Sequence, residues 1–194
     1  MAFNAYLVFH QKTKIKGEST SEPEKAAVKR GAIEVADYGF GVSMPVTTAR
    51  SDGGGATVGR ANFDVFTCTK SIDTSTPILF EYCCKGTAID TIVLHLYRQG
   101  EGSADSGVVK YAMVVFQACV ITKVAISGSG EELPKESLEF NYGVCEYWYQ
   151  LTDHNTGLAD KTKPAEKRGW STVKNMAVPS GQAFADFEPC DMKT

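Results

Sequence analysis

Hydrophobic and polar residues alternate one for one along much of this chain, the pattern of strands with one face buried. From Ile33 to Val42 one face carries Glu34, Ala36, Tyr38, Phe40 and Val42, and the other Ile33, Val35, Asp37, Gly39 and Gly41. Toward its end this strand is therefore aromatic on one side, with Tyr38, Phe40 and Val42 facing the core, and small and polar on the other. Ala61, Phe63 and Val65 alternate with Asn62 and Asp64, and Ile92, Leu94 and Leu96 with Val93 and His95. Leu138, Phe140, Tyr142 and Val144 alternate with Glu139, Asn141, Gly143 and Cys145. The strongest run, Val108 to Ile126, is too long for one flat strand, which predicts a bend or bulge near Ala118 to Thr122.

One helix interrupts the alternation, over about residues 77–85. Thr76 reads as its N-cap and Pro77 as its first residue, where the missing N–H costs nothing. Ile78, Leu79, Tyr82 and Cys83 fall on one face, Glu81 and Lys85 form a surface pair, and Gly86 supplies the stop. So short a helix does not hold itself together in water, so it must pack on the sheet as a plug over a barrel or sandwich opening.

Between these elements lie polar loops: Gln11 to Arg30, Ser43 to Gly59 with Met44-Pro45 and Gly53-Gly54-Gly55, Gln99 to Gly107, and Thr152 to Arg168. Regular patterning is lost after Asn175. The expected architecture is mainly β: a single barrel-like or two-sheet sandwich domain over residues 1–174 and an extended or disordered tail over 175–194.

Composition narrows the partners. At 194 residues the chain buries enough surface to fold without a disulfide or metal staple. Twenty basic against 23 acidic residues, net −3, gives no nucleic-acid footprint. The longest apolar stretch, Ala112 to Ile121, is half of what a spanning helix needs, so membrane insertion is not expected. The first residues lack the basic n-region and long apolar run of a signal peptide. The six cysteines, at 68, 83, 84, 119, 145 and 190, form no CxxC pair and read as buried free thiols of a reducing compartment.

Catalytic patterns are missing where they would be looked for. His10, His95 and His154 make no HExxH, and no nucleophile elbow, Walker loop or GxGxxG is present. No cofactor or metal is expected. Cys83 and Cys84 sit away from the helix N-terminus that would activate a thiol, and His95 reads as a packed imidazole. Tyr147-Trp148-Tyr149 is either strand core, an inter-subunit contact or an aromatic platform, and Glu131-Glu132 reads as solvated turn charge.

Four segments together resemble the haemolysin-coregulated protein (Hcp) family, the inner-tube subunit of bacterial type VI secretion systems. They are the opening strand with Ile15-Lys16-Gly17-Glu18-Ser19; Ile33-Glu34-Val35 leading to Tyr38-Gly39-Phe40-Gly41-Val42; Phe66 to Leu79, similar to the family's Thr-Lys-x-x-Asp-x-Ser-Thr-Pro-x-Leu; and Leu138 to Tyr147 with Gly169-Trp170. On the third, Lys70, Asp73, Ser75, Thr76 and Pro77 stand as the helix-entrance motif. The residues before Ile33, Cys68 within the motif and the tail from Asn175 depart from the pattern.

The resemblance implies a non-enzymatic, ring-forming subunit: homohexamers stack into a hollow tube that a contractile sheath expels. Its implied partners are further copies of itself, a spike protein at the tip, the sheath, and effector proteins in the lumen. Its implied location is the bacterial cytoplasm before firing, then outside without a cleaved signal. A lumen wall should be small and polar, which points to Asp37, Gly39 and Gly41. Ring stacking points to the Gly-rich loop at Asp52, Gly53, Gly54 and Gly55. Three other readings stay open: a tail-tube subunit of a phage-like contractile particle, a small-ligand-binding β module using Tyr147-Trp148-Tyr149, and a cysteine-dependent enzyme.

Overall fold

A computed structural model describes residues 3–10, 15–19, 31–47, 57–99, 108–130, 132–153, 160 and 162–179. In chain order these form β1 (Phe3–His10), β2 (Ile33–Val35), β3 (Asp37–Gly39), β4 (Val42–Ser43), β5 (Val46–Thr47), β6 (Thr57–Val58), β7 (Asn62–Phe63) and β8 (Phe66–Ser71). The one helix among the described residues, α1 (Thr76–Lys85), follows, then β9 (Ala88–Gln99), β10 (Val108–Ser129), β11 (Glu132–Asn141), β12 (Val144–Tyr149), β13 (Glu166–Ser171) and β14 (Met176–Val178). The described residues are mainly β with one helix, as the alternation predicts.

Ten strands make one antiparallel sheet, and β10 is its spine. One edge of β10 pairs with β9 from Val108 to Val120, and β1 and β2 follow beyond β9. The other edge changes partner: Ala112 to Gln117 pair with β12, and Val120 onward with β11. The bend expected at 118–122 lies at this change. Ala118 adopts a positive φ of 53°, and the register slips between Ile121 and Lys123. Opposite it, only Tyr142 and Gly143 separate β11 from β12, and the Gly143 N–H donates to the Gln117 carbonyl at 2.9 Å. The corner divides the sheet into two halves. One holds β1, β2, β9, the first part of β10, β12, β13 and β14; the other holds β3, β8, β11 and the second part of β10. Among the described residues the pairing does not close, so the sheet is open and folded on itself.

Both halves feed one core. Leu7, Ile92, Leu94, Val114 and Phe116 come from the first half, and Phe66, Leu138 and Phe140 from the second. Phe66 stacks on Phe140 with ring centroids 4.6 Å apart, and Phe116 meets both edge-on at 5.2 and 5.3 Å. Each buried phenylalanine contributes roughly 1.5–3 kcal/mol, and each ring pair about 0.5–1.5 kcal/mol more. This aromatic centre is what holds the two halves together.

Helix α1 packs on the sheet against β10, with Leu79 buried and Ile78, Tyr82 and Cys83 packed on the cluster. Gly86 ends it in the left-handed region, φ 61°, and Thr87 N–H returns to the Tyr82 carbonyl. Its start corrects the expected cap. Ser75 is the N-cap, without a capping side-chain bond, while Thr76 is already helical and Pro77 second. The Thr76 hydroxyl is engaged elsewhere, donating to Glu136, and the Ile78 and Leu79 N–H groups go to the Ser75 carbonyl.

The run from Ile33 to Val42 is also not one strand. Ile33 and Val35 are buried while β2 pairs with β1; after a bend at Ala36 the chain moves to β8, and Tyr38 turns to the core. Val42, expected in the core with Tyr38 and Phe40, is 62% exposed. It belongs to an arm of two short ribbons, β4–β7 and β5–β6, that leaves the sheet.

Candidate functional site

The second half-sheet has two unlike faces because its strands alternate strictly. In β8, Phe66, Cys68 and Lys70 are buried, and Thr67, Thr69 and Ser71 face the other way. In β11, Glu136, Leu138 and Phe140 are buried, and Ser137, Glu139 and Asn141 face away. Register then assembles the outward residues. Thr69 lies between Asp37 and Ser137, Thr67 between Gly39 and Glu139, and Lys123 opposite Glu139 with a 2.7 Å ion pair. The result is an uncovered face of small hydroxyl-bearing and glycine positions, on which Asp37 and Glu139 balance Lys123 and Lys135.

Of the three residues singled out for a lumen wall, Asp37 and Gly39 share this face. The Thr67 hydroxyl donates to the Gly39 carbonyl at 3.3 Å. Gly41 does not join them. It sits at the base of the arm, where its carbonyl accepts the Asp64 N–H at 3.0 Å. Thr67, Thr69 and Ser137, missed as site residues, are legible in hindsight from their phase opposite Phe66, Cys68 and Leu138.

Directly behind this face lies the helix-entrance motif, gathered around one ammonium. Lys70 Nζ donates to the Ser71 carbonyl at 3.0 Å, Asp73 Oδ1 at 2.9 Å and Thr76 Oγ1 at 3.1 Å, and lies 3.0 Å from Glu136 Oε2. The Thr76 hydroxyl accepts the Asp73 N–H at 3.2 Å and donates to Glu136. Ser75 donates both its N–H and its hydroxyl to Asp73. Four of the five motif residues thus make one network, and Pro77 stands outside it on the exposed side of α1. Glu136, unflagged by the motif, is its fifth partner. Both Lys70 and Glu136 have no exposed side-chain surface, and Glu136 Oε1 meets no hydrogen-bond donor among the described residues.

The remaining candidates do not converge on a reaction centre. Asp52, Gly53, Gly54 and Gly55 lie outside the described residues, as does His154. Burial pushes the thiols of Cys68, Cys119 and Cys145 up to about 12, the opposite of an activated nucleophile. Tyr147-Trp148-Tyr149 cannot act as one platform, since neighbouring side chains of a strand leave by opposite faces. Trp148 is buried with Val93, Met113 and Val115, whereas Tyr147 and Tyr149 emerge on the other side, 41% and 39% exposed. Among the described residues no group of three or more His, Cys, Asp or Glu is placed to hold a metal ion, and no helix is long and apolar enough to cross a membrane.

A family model described as "Type VI secretion system effector, Hcp" matches residues 6–149. The chain belongs to the Hcp family. Solved structures with this fold include a type six secretion system protein, 24% identical, TM-score 0.75, covering 91% of this chain and 100% of that one. Hcp1 from Salmonella typhimurium is 20% identical with a TM-score of 0.66, covering 92% and 100%. A type VI secretion system effector from Yersinia pestis is 18% identical with a TM-score of 0.58, covering 86% and 98%. A search of curated protein sequences finds no match. The matched segment of this Hcp chain contains the open face, the entrance network and the whole of β10.

Proposed function

We propose that this Hcp chain is the inner-tube subunit of a type VI secretion system. Copies of it close into a ring, rings stack into a hollow tube, and the open face of β3, β8, β11 and the second part of β10 lines the bore. The observation that carries the reading is that face: a half-sheet whose back is packed with aromatic rings while its front stays bare, small and charge-balanced. A water-filled conduit needs such a wall, because exposed apolar patches would hold passing proteins and a single sign of charge would trap or repel them. Asp37 and Gly39 lie within this wall, with Gly41 at its margin.

Stacking needs a second contact, different from the one that closes the ring. The arm of β4–β7 and β5–β6 is suited to it: Val42, Met44 and Val46 are about half exposed or more, at 62%, 48% and 49%. Asp52 to Gly55 fall between β5 and β6 in sequence and belong to the same proposed contact. In this reading rings hold six copies, effector proteins travel in the bore, a spike caps the tube and a contractile sheath drives it from the cytoplasm out of the cell. The protein works by shape and surface, with no reaction of its own.

Negative-stain imaging of the purified chain tests the reading. Annular particles with a central hole are expected, and stacked tubes at high concentration. A monomer at every concentration would refute it. Deleting Asp52 to Gly55 is expected to spare single rings and abolish stacks; tubes formed by that deletion would remove the arm from the stacking contact.

A further inference from the structure

Lys70 and Glu136 are register partners in the β8–β11 ladder, both on the core side and both wholly buried. A buried ion pair is a poor source of stability, since apolar residues of similar volume often serve as well or better. We infer that this pair is a positioning device: it fixes the register of β8 against β11 and so decides which residues the open face presents.

Alternation alone leaves that register ambiguous. A one-residue slip would turn Phe66 and Cys68 away from the core, and the whole apolar pattern forbids it. A two-residue slip keeps every apolar side chain inward. Slipped one way, Lys70 would face Leu138 and Glu136 would face Ile72. Slipped the other way, Lys70 would face Pro134 and Glu136 would face Cys68. Either shift leaves Lys70 with Asp73 and Thr76, which move with its own segment, but carries the buried Glu136 carboxylate away from its ammonium, which is costlier than exchanging one apolar neighbour for another. The pair therefore discriminates among the slips that hydrophobicity tolerates. Thr76, bonded to both partners, extends the same setting to α1.

The register can be read on the open face of the full-length chain, where Thr69 and Ser137 are direct partners. Thr69→Cys with Ser137→Cys reports the native alignment. Thr67→Cys or Ser71→Cys, each with Ser137→Cys, reports the two slips, because diagonal positions roughly 7–8 Å apart exceed disulfide reach in the native ladder. Mild oxidation followed by mass spectrometry of linked peptides separates these bonds from any link to Cys68. With Lys70 and Glu136 in place, only the 69–137 bond is expected. In the Lys70→Met/Glu136→Leu background, a melting temperature no lower than that of the parent is expected, with several-fold more off-register bonds. A double variant that still closes only 69–137, at parental yield, would overturn the inference. So would an unfolded double variant alongside a folded Glu136→Gln, since the pair would then be supplying stability and not alignment. None of these readouts requires a ring to form, so the outcome is independent of the tube reading.

Discussion

In the half-sheet of β1, β9, the first part of β10 and β12, the side turned away from the shared core is buried as well. Tyr6 and Val8 pack there with Ala32, and Val93 and Val115 pack with Met113 and Trp148. Ala165 packs on the same cluster, and the buried Gln150 donates from Nε2 to the carbonyls of Leu151, Asp160 and Lys163 at 3.0–3.2 Å. In the half-sheet of β3, β8, β11 and the second part of β10, the corresponding side carries hydroxyls and lies open. The two halves share a core, a hydrogen-bonding pattern and one strand, yet among the described residues the side turned away from the core is covered in one and bare in the other. A strand covered on both sides reads as a continuous apolar run, as in Met113-Val114-Val115-Phe116, whereas a strand with one bare side reads as strict alternation, as in Phe66 to Lys70.

The sharpest way to break this contrast is to place the same charge on each half. Val115→Asp puts a carboxylate into a fully buried apolar site and is expected to cost more than about 4 kcal/mol, enough to unfold a typical domain in part. Ser127→Asp, on the open face beside Lys135, is expected to change stability by no more than about 0.5 kcal/mol. Urea denaturation of both variants measures the difference. Equal losses would mean that the open face is not open.

The inward side can be probed by pH. Burial raises Cys68, on the second half, and Cys119 and Cys145, at the corner, from an ordinary 9.0 to about 12. The folded protein thus keeps these protons where the unfolded chain gives them up. Their contribution to stability is complete below about pH 9 and is lost as pH rises toward 12, at up to roughly 1.4 kcal/mol per pH unit for each thiol. Denaturation curves between pH 8 and pH 11, values chosen to span the onset, should show a steady decline that Cys119→Ala reduces. No such decline would place these thiols in contact with water. Cys84, exposed on α1, should by contrast be open to a maleimide in the folded state.

A smaller effect is expected where the two halves meet. Ala118 holds a φ of 53°, which costs an L-residue about 1–2 kcal/mol that glycine does not incur. Glycine gives back part of this through the freedom it adds to the unfolded chain. Ala118→Gly is therefore expected to raise stability by about 0.5–1 kcal/mol in the same urea assay. A loss would mean that the methyl group packs at the corner more than its backbone is strained.

These regions differ in how far they could be read from sequence. The corner was legible because a run from Val108 to Ile126 outgrows a flat strand. The helix was legible too, except for its first residue: Thr76 looks like a cap, and only the fold shows its hydroxyl drawn to Glu136. Ile33 to Val42 misleads because alternation continues smoothly while the chain exchanges β1 for β8 at Ala36, and no local pattern records a change of partner. Phase placed Asp37 and Gly39 opposite Tyr38, but the face they join is built by Thr67, Thr69 and Ser137, which only strand order brings alongside. Lys70 and Glu136 are 66 residues apart (136 − 70), and neither announces the other.

A last change, at Gly39, bears most directly on the open face. A Cβ at Gly39 would lie 3.2 Å from the Thr67 hydroxyl, a side-chain atom able to move by the few tenths of an ångström required, and Gly39 has no positive φ to forbid a larger residue. Gly39→Trp should therefore fold with stability within about 1 kcal/mol of the parent. In the proposed ring each copy would add one indole to the bore, so the substitution should leave annuli intact in electron micrographs while reducing the retention or delivery of effector proteins. The same substitution at Gly86, beyond α1 and away from the open face, separates a general surface effect from a bore effect: it should lower stability through its positive φ of 61° without touching delivery by assembled rings. If Gly39→Trp delivers effectors as the parent does, the bare face of the second half-sheet does not line the path they take.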